Sequence, residues 1–304
     1  MPSRLPFVSV IVPVWNDAAR LERCLRALGG QTYPGDLYEV VVVDNGSDEP
    51  VGPVVARHAR ARLVREARPG SYAARNAGLA HARGEVVAFT DADCLPVSDW
   101  IEKGVACLVR GGGRTVVAGR VEIFPHTPQR PNAVEQYELL FALEQRKYVR
   151  KYRFGATANL FAWREAFARV GPFLSEIKSG GDLEWVRRAA EHGYELEYAD
   201  EARVRHPARA SLPQLYLKIV RIAGGIHDLR RIKGRSYLEF DRGLLWELLP
   251  PVRAVARMLR EPSLPRRRDR VKVSAVLLFV RYVQAFERLR LALPKLWRRH
   301  TTAR

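Results

Sequence analysis

The stretch Gly84-Glu85-Val86-Val87-Ala88-Phe89-Thr90-Asp91-Ala92-Asp93-Cys94 decides how the rest of the chain is read. Its apolar run, Val86 to Phe89, has the length and composition of a buried strand, and two aspartates spaced i, i+2 follow it. In extended backbone that spacing puts both carboxylates on one face. Ala92 between them is small enough for a third group to approach. Like charges so close repel unless a cation separates them. A divalent metal held by oxygen ligands, itself carrying phosphates, would do so. A polar turn closing a strand accounts for the same tripeptide, because Asp is common in turns. Both readings stand on these residues alone.

Upstream, Phe7-Val8-Ser9-Val10-Ile11-Val12 is β-rich and is closed by Pro13 and a polar loop. Asp17 has the position of an N-cap for a helix over 18–28, with Leu21, Leu25 and Leu28 on one face. Residues 38–44 read as a second buried strand, again ending in an acid, Asp44. The turn Asn45-Gly46-Ser47-Asp48 leads to a helix over 51–62, a short strand over 63–65, and a helix over 72–82 containing Arg75 and Asn76. Strands alternating with helices predict an open parallel α/β sheet. Ligands of such sheets bind beyond the carboxyl ends of the strands, where Asp44, Asp91 and Asp93 all fall. No Gly-x-Gly-x-x-Gly follows the first strand and no Walker A sequence occurs, which disfavours a dinucleotide oxidoreductase or a P-loop enzyme.

The 304 residues suffice for one large domain or two smaller ones. Cys24, Cys94 and Cys107 have no metal-ligand spacing, so reduced thiols in a cytosolic setting are the simplest reading. No secretory signal precedes the first strand, and no run reaches the roughly 18 apolar residues a spanning helix needs. The net charge is +18, and residues 241–304 carry 16 Lys/Arg against 5 Asp/Glu, so +11 of it sits in the last fifth of the chain. Such a tail suits a nucleic acid or an anionic membrane equally well.

Four blocks carry a resemblance. Val10-Ile11-Val12-Pro13-Val14-Trp15-Asn16, Val41-Val42-Val43-Asp44-Asn45-Gly46-Ser47, Ala74-Arg75-Asn76-Ala77-Gly78 and Asp91-Ala92-Asp93 resemble, in order and spacing, the successive blocks of family-2 glycosyltransferases, inverting enzymes of the GT-A fold. The similarity runs over about 7–206. It implies a Rossmann-like α/β nucleotide-diphospho-sugar transferase, a mostly parallel sheet flanked by helices, as a catalytic domain over 1–210. A basic helical C-terminal region over 211–304 then follows. It also implies roles: Asp44 reads the nucleotide base or ribose, with Pro13 and Asn16 lining that pocket, and Arg75 lies near the phosphates. Asp91, the first acid of the DxD motif, sits near ribose and metal-bound water. Asp93, the second, is the direct ligand of a Mn2+ or Mg2+ that bridges the diphosphate. The residue types suit a diphosphate leaving group, whose developing charge a divalent ion neutralises. Asp44 read alone is also a turn-starting Asx residue, and Arg75 a solvated helix face.

Further on, a helix over 98–108, a strand over 115–122 and a helix over 133–148 are expected. Phe154-Gly155-Ala156-Thr157-Ala158-Asn159-Leu160-Phe161 resembles the family's acceptor side, where Asn159 would bond sugar hydroxyls or else satisfy a local turn. In Ser179-Gly180-Gly181-Asp182-Leu183-Glu184 two glycines lead to an acid opening a helix that His192-Gly193 ends. Inverting transfer needs a carboxylate to take the acceptor hydroxyl's proton. Relatives carry an acidic pair here. Gly181 replaces its first member, so Asp182 inherits the base role, with Glu184 in reserve; Asp182 as a plain helix cap is the alternative. A strand over 195–198 precedes His206, which lies where many GT-A enzymes place a third metal ligand. Lys218 and Arg221, i, i+3 on the next helix, would clamp the diphosphate or form a basic face.

The run Leu244-Leu245-Trp246-Glu247-Leu248-Leu249, the aliphatic and arginine stretch 252–260, Arg266-Arg267-Arg268 and a long helix expected over 271–293 mix aliphatic, aromatic and arginine residues. They suit helices lying in the headgroup region of a membrane, or a helical hairpin packed on the rest of the chain. The expected activity is metal-dependent transfer from a nucleotide-diphosphate sugar to a saccharide or lipid-linked acceptor. The setting would be cell-envelope or exported polysaccharide synthesis, in the cytoplasm and peripheral on the inner membrane face. A non-catalytic nucleotide-sugar binder and a basic nucleic-acid-binding α/β protein are the alternatives, though no recognised nucleic-acid motif occurs.

Overall fold

Strand β1 (Val8–Val14) is central because its neighbours on both sides are also buried aliphatic runs. It pairs in parallel with β2 (Tyr38–Asp44) and with β4 (Val86–Phe89), and β2 pairs in parallel with β3 (Ala61–Arg65). The computed structural model describes residues 4–234 and 248–292. Helix α1 (Ala18–Gly29) buries Leu21, Cys24, Leu25 and Leu28, the face its periodicity predicts. The short α2 (Gly52–Val55) and α3 (Ser71–His81) complete the crossovers. Gly78 of α3 lies so close to β1 that a Cβ there would sit 2.5 Å from the Ile11 side chain, which is why the Ala-Arg-Asn-Ala-Gly block needs glycine at its end.

The remaining strands depart from the expected parallel pattern. β7 (Leu160–Trp163) pairs antiparallel with β4 and with β6 (Thr115–Phe124). β5 (Leu95–Pro96) pairs antiparallel with β8 (Glu195–Pro207), giving a mixed eight-stranded sheet in the order β3-β2-β1-β4-β7-β6-β8-β5. β3, β2, β1 and β4 thus form a parallel block. The expected helix over 51–62 shrinks to one turn, since Pro53 fits its start but strand β3 already begins at Ala61. The expected helix over 133–148 breaks as α5 (Ala133–Phe141) and α6 (Gln145–Lys147), followed by a π-turn over Tyr148–Tyr152. Leu143 between them has φ 48°, which no α-helix tolerates. Helices α4 (Trp100–Gly111), α7 (Arg164–Val170) and α8 (Gly181–Glu191) complete the first of two compact units.

That first unit comprises Met1–Glu122, Leu143–Glu176 and Gly181–His206. The second comprises Ile123–Ala142, Ile177–Gly180 and Pro207 onward. In it, Val134 of α5 packs with Leu215 and Ile219 of α9 (Leu212–Ile232) and with Val276 and Val280 of α11 (Arg267–Ala292), and α10 (Val252–Met258) adds Met258 beside Leu264 and Val273. Residues 244–247 of the apolar run lie outside the described residues.

At the amino ends of the parallel strands Glu39 is buried. It accepts from the Ser9 hydroxyl at 2.6 Å, from Arg62 at 2.9 Å and from the Arg83 side chain at 3.0 Å. Burial alone would raise its pKa, but these bonds prevail and hold it down to about 2. A carboxylate depressed in the fold stabilises above its ordinary value of 4.5 and loses that contribution as pH falls toward 2. Melting temperatures measured between pH 5 and pH 2.5 should therefore fall more steeply for the wild type than for Glu39→Gln.

Candidate active site

The parallel strands deliver their loops to one edge. Register places Val14 of β1 beside Asp44 of β2, and Ile11 beside Phe89, two residues before Asp91. Asp44 accepts the Ser47 amide at 2.9 Å, the Asx turn its sequence allows, and Asn16 locks onto the same loop. The Asn16 amide group donates to Asp48 at 3.0 Å and accepts the Asp48 amide at 2.7 Å, while Asn16 itself takes φ 48°. Asn tolerates that left-handed backbone better than most residues. Asn45 bonds the carbonyls of Glu66 and Arg68 and accepts from the Gly70 amide, pinning the segment that opens α3.

From α3, Arg75 reaches inward. It is buried, and its guanidinium meets Asp91 at 2.5 Å, with Nε among the buried atoms lacking a hydrogen-bond partner. Its neighbour Asn76 serves structure: it exchanges two hydrogen bonds with the Phe173 backbone, at 2.8 and 3.0 Å.

Antiparallel pairing of β5 with β8 matches Leu95 to Arg205, and so sets His206 against the acidic pair. His206 Nε2 lies 3.7 Å from Asp93 Oδ2. Ligand-type atoms of Asp91, Asp93, Cys94 and His206 all fall within 4.8 Å of one another. Cys94 was not foreseen. Burial, reinforced by the charges of Asp93 and Asp91, pushes its thiol well above the ordinary range. Two carboxylates and an imidazole remain, a donor set that suits Mn2+ or Mg2+. Arg20 of α1 is a second unforeseen member, its Nη1 4.0 Å from Asp93 Oδ2 and its Nε 2.7 Å from Asp17. Desolvation raises the Asp17 carboxyl, and Asp93 and Glu49 add to that rise, so Asp17 too feels the acidic cluster. Only the fold brings α1 alongside.

Asp182, in the first turn of α8, accepts from the Tyr72 hydroxyl at 3.1 Å, the Thr157 amide at 3.3 Å and the Leu183 amide at 2.9 Å. Glu184 is instead committed to Arg188, with two bonds of 3.1 Å, which withdraws it from the reserve role. Asn159 also corrects the expectation. It is 0% exposed, accepts from Trp100 Nε1 at 2.9 Å, and donates to the carbonyls of Arg120 and Ala202 at 2.8 Å each. No acceptor can reach it; it ties α4 to β6 and β8. Asn159→Ala should strand a buried indole N–H and two carbonyls and cost about 3 kcal/mol or more, read as a lowered denaturation midpoint. Lys218 belongs to the second unit, where it meets Glu138 at 2.7 Å while Arg209 meets the other oxygen at 2.9 Å. Its ammonium is thus spent within that unit instead of being held for a phosphate. Arg221 lies one turn further along α9.

Comparison with known proteins supplies the family. The family model described as glycosyl transferase family 2 matches residues 9–171. The glycosyltransferase AglE of Haloferax volcanii is 39% identical over 258 residues, covering 82% of this chain and 84% of that protein. The pre-mycofactocin glycosyltransferase of Mycobacterium tuberculosis is 31% identical over 217 residues, 67% of this chain and 43% of that one. Among solved structures, the mannosyltransferase PcManGT of Pyrobaculum calidifontis, in complex with GDP-Man and Mn2+, aligns with a TM-score of 0.63 at 23% identity, covering 98% of this chain and 89% of that one. GalNAc-T7 with UDP, GalNAc and Mn2+ aligns at 0.54 and 18% identity, covering 72% and 48%. The chain belongs to glycosyltransferase family 2, and is a glycosyltransferase with the GT-A fold.

Proposed function

We propose that this enzyme transfers a sugar from a nucleoside-diphosphate donor to an acceptor hydroxyl, with inversion and with a divalent cation. The observation that carries the reading is the convergence of Asp91, Asp93 and His206 at the carboxyl edge of the sheet, from positions over 100 residues apart in sequence. Asp93 and His206 would hold Mn2+ or Mg2+ directly, and Asp91 through water. A bound ion there would neutralise the charge that develops on the departing diphosphate. Asp44 would read the base or ribose, within a pocket lined by Pro13 and Asn16. Arg75, fixed by Asp91, would add a positive charge near the phosphates. Asp182 would take the proton of the acceptor hydroxyl as its oxygen attacks the anomeric carbon from the face opposite the diphosphate.

The acceptor would be a saccharide or a lipid-linked sugar, in envelope or exported polysaccharide synthesis on the inner face of the cell membrane. The second unit supports that setting. Leu249, Val252, Leu259, Val271 and Phe286 are exposed apolar side chains on a unit that also carries Arg253, Arg257, Arg260 and Arg266-Arg267-Arg268. No helix among the described residues is long and apolar enough to cross a membrane. The test is thermal shift against UDP-, GDP- and dTDP-sugars with and without Mn2+. Stabilisation by one nucleotide series, enhanced by Mn2+, is expected; no shift with any of them would overturn the proposal.

A further inference from the structure

We infer that Tyr72 is the positioning residue for Asp182, and that Gly181 is glycine because the Tyr72 ring needs its space. The inference rests on the base role proposed for Asp182. Tyr72 stands in the first turn of α3 and is 5% exposed, with its ring centroid 5.7 Å from that of Phe173. A Cβ built on Gly181 would lie 2.9 Å from each of three atoms of the Tyr72 ring, closer than real Cβ contacts come. Any side chain at 181 would therefore displace the ring. An acid there would also set a second carboxylate beside Asp182.

The ring so placed delivers its hydroxyl to one oxygen of Asp182. Oδ1 accepts the Tyr72 hydroxyl at 3.1 Å and the Leu183 amide at 2.9 Å, whereas Oδ2 accepts the Thr157 amide at 3.3 Å. The two oxygens are unequal: Oδ1 is held twice, and Oδ2 once and more loosely. Fixing Oδ1 leaves Oδ2 to meet the acceptor hydroxyl in one orientation, and a general base works only within hydrogen-bond reach of its proton. The Arg75 guanidinium carbon lies over the Tyr72 ring, 5.5 Å from its centroid. Arg75 in turn holds Asp91. One continuous chain, Asp91–Arg75–Tyr72–Asp182, thus sets the spacing between the proposed metal site and the proposed base. Burial pushes the Tyr72 hydroxyl above its ordinary range, so it stays a donor at working pH.

The test uses the full chain and Mn2+-dependent release of nucleoside diphosphate from GDP-mannose and UDP-GalNAc, with donor affinity measured separately by calorimetry. Tyr72→Phe keeps the ring and removes the hydroxyl, so kcat should fall about tenfold while donor affinity and melting temperature stay within about twofold and a degree or two of wild type. Gly181→Ala should slow the wild type comparably, yet add about twofold or less on top of Tyr72→Phe, because both act through one hydrogen bond. Asp182→Asn separates the two levels. If it is inactive while Tyr72→Phe turns over like wild type, the positioning role alone is overturned. If Asp182→Asn remains active, the base reading falls, and this inference with it. A Tyr72→Phe variant that loses donor affinity as much as kcat would mark a structural role and equally overturn the inference.

Discussion

Asp93→Ala is expected to lower Mn2+-stimulated transfer by roughly three orders of magnitude, the loss seen when one preorganised stabiliser of developing charge is removed. The size follows from what is left. Asp91 is engaged by Arg75 at 2.5 Å, and Cys94 is a buried thiol, so neither puts a carboxylate oxygen where Asp93 has one. His206 would lose the oxygen that now lies 3.7 Å from its Nε2. The accompanying binding readout is specific: Mn2+ should no longer increase the thermal stabilisation given by the nucleotide sugar. A variant whose melting temperature still responds to Mn2+ as the wild type does would remove Asp93 from the ligand set. Arg20 gives a control, because its half-exposed side chain approaches Asp93 at 4.0 Å without donating a ligand atom.

The second large effect is on proton transfer. Asp182→Asn preserves shape and keeps a carbonyl oxygen for the Tyr72 hydroxyl and the Leu183 amide, but an amide takes no proton. Loss of a general base lowers kcat by about 10² to 10⁴. Donor affinity should be unchanged, because the residues proposed to hold the diphosphate sit on other loops. Steady-state kinetics beside donor titration therefore distinguish this variant from Asp93→Ala, which should weaken both. Equal kcat in Asp182→Asn and wild type would return Asp182 to the role of a helix-opening residue.

The parallel half of the sheet was legible because its information is local. Four- to seven-residue aliphatic runs, each closed by a turn and an acid, can be read without knowing what they pair with. The antiparallel half was not, because β7 over Leu160–Trp163 looks the same whichever way its neighbour runs. Asp91, Asp93 and His206 were singled out by type and position, and the fold does bring their ligand-type atoms within 4.8 Å of one another. Asn159 was read by type alone: an Asn in a turn-rich stretch gives no sign that Trp100, 59 positions earlier, will donate to it. Lys218 failed the same way, since Glu138 lies 80 positions upstream. The broken helix after 141 had a fainter signal, Leu143 and Glu144 interrupting the apolar spacing, but positive φ at a leucine has no sequence signature. Tyr72 and Arg20 carry no motif of their own, and only packing shows what they touch.

The β5–β8 pairing also sets an order in time. Leu95 finds Arg205 only after 110 further residues have been made. A growing chain can therefore pair β1, β2, β3 and β4 while His206 is still to be synthesised, since local and sequential contacts close at less entropic cost. Until β8 docks, two aspartates face solvent without their imidazole partner. Chains that end before β8 should accordingly be competent to form the parallel half yet incompetent to assemble the proposed metal site, which is completed only once residue 206 has been made.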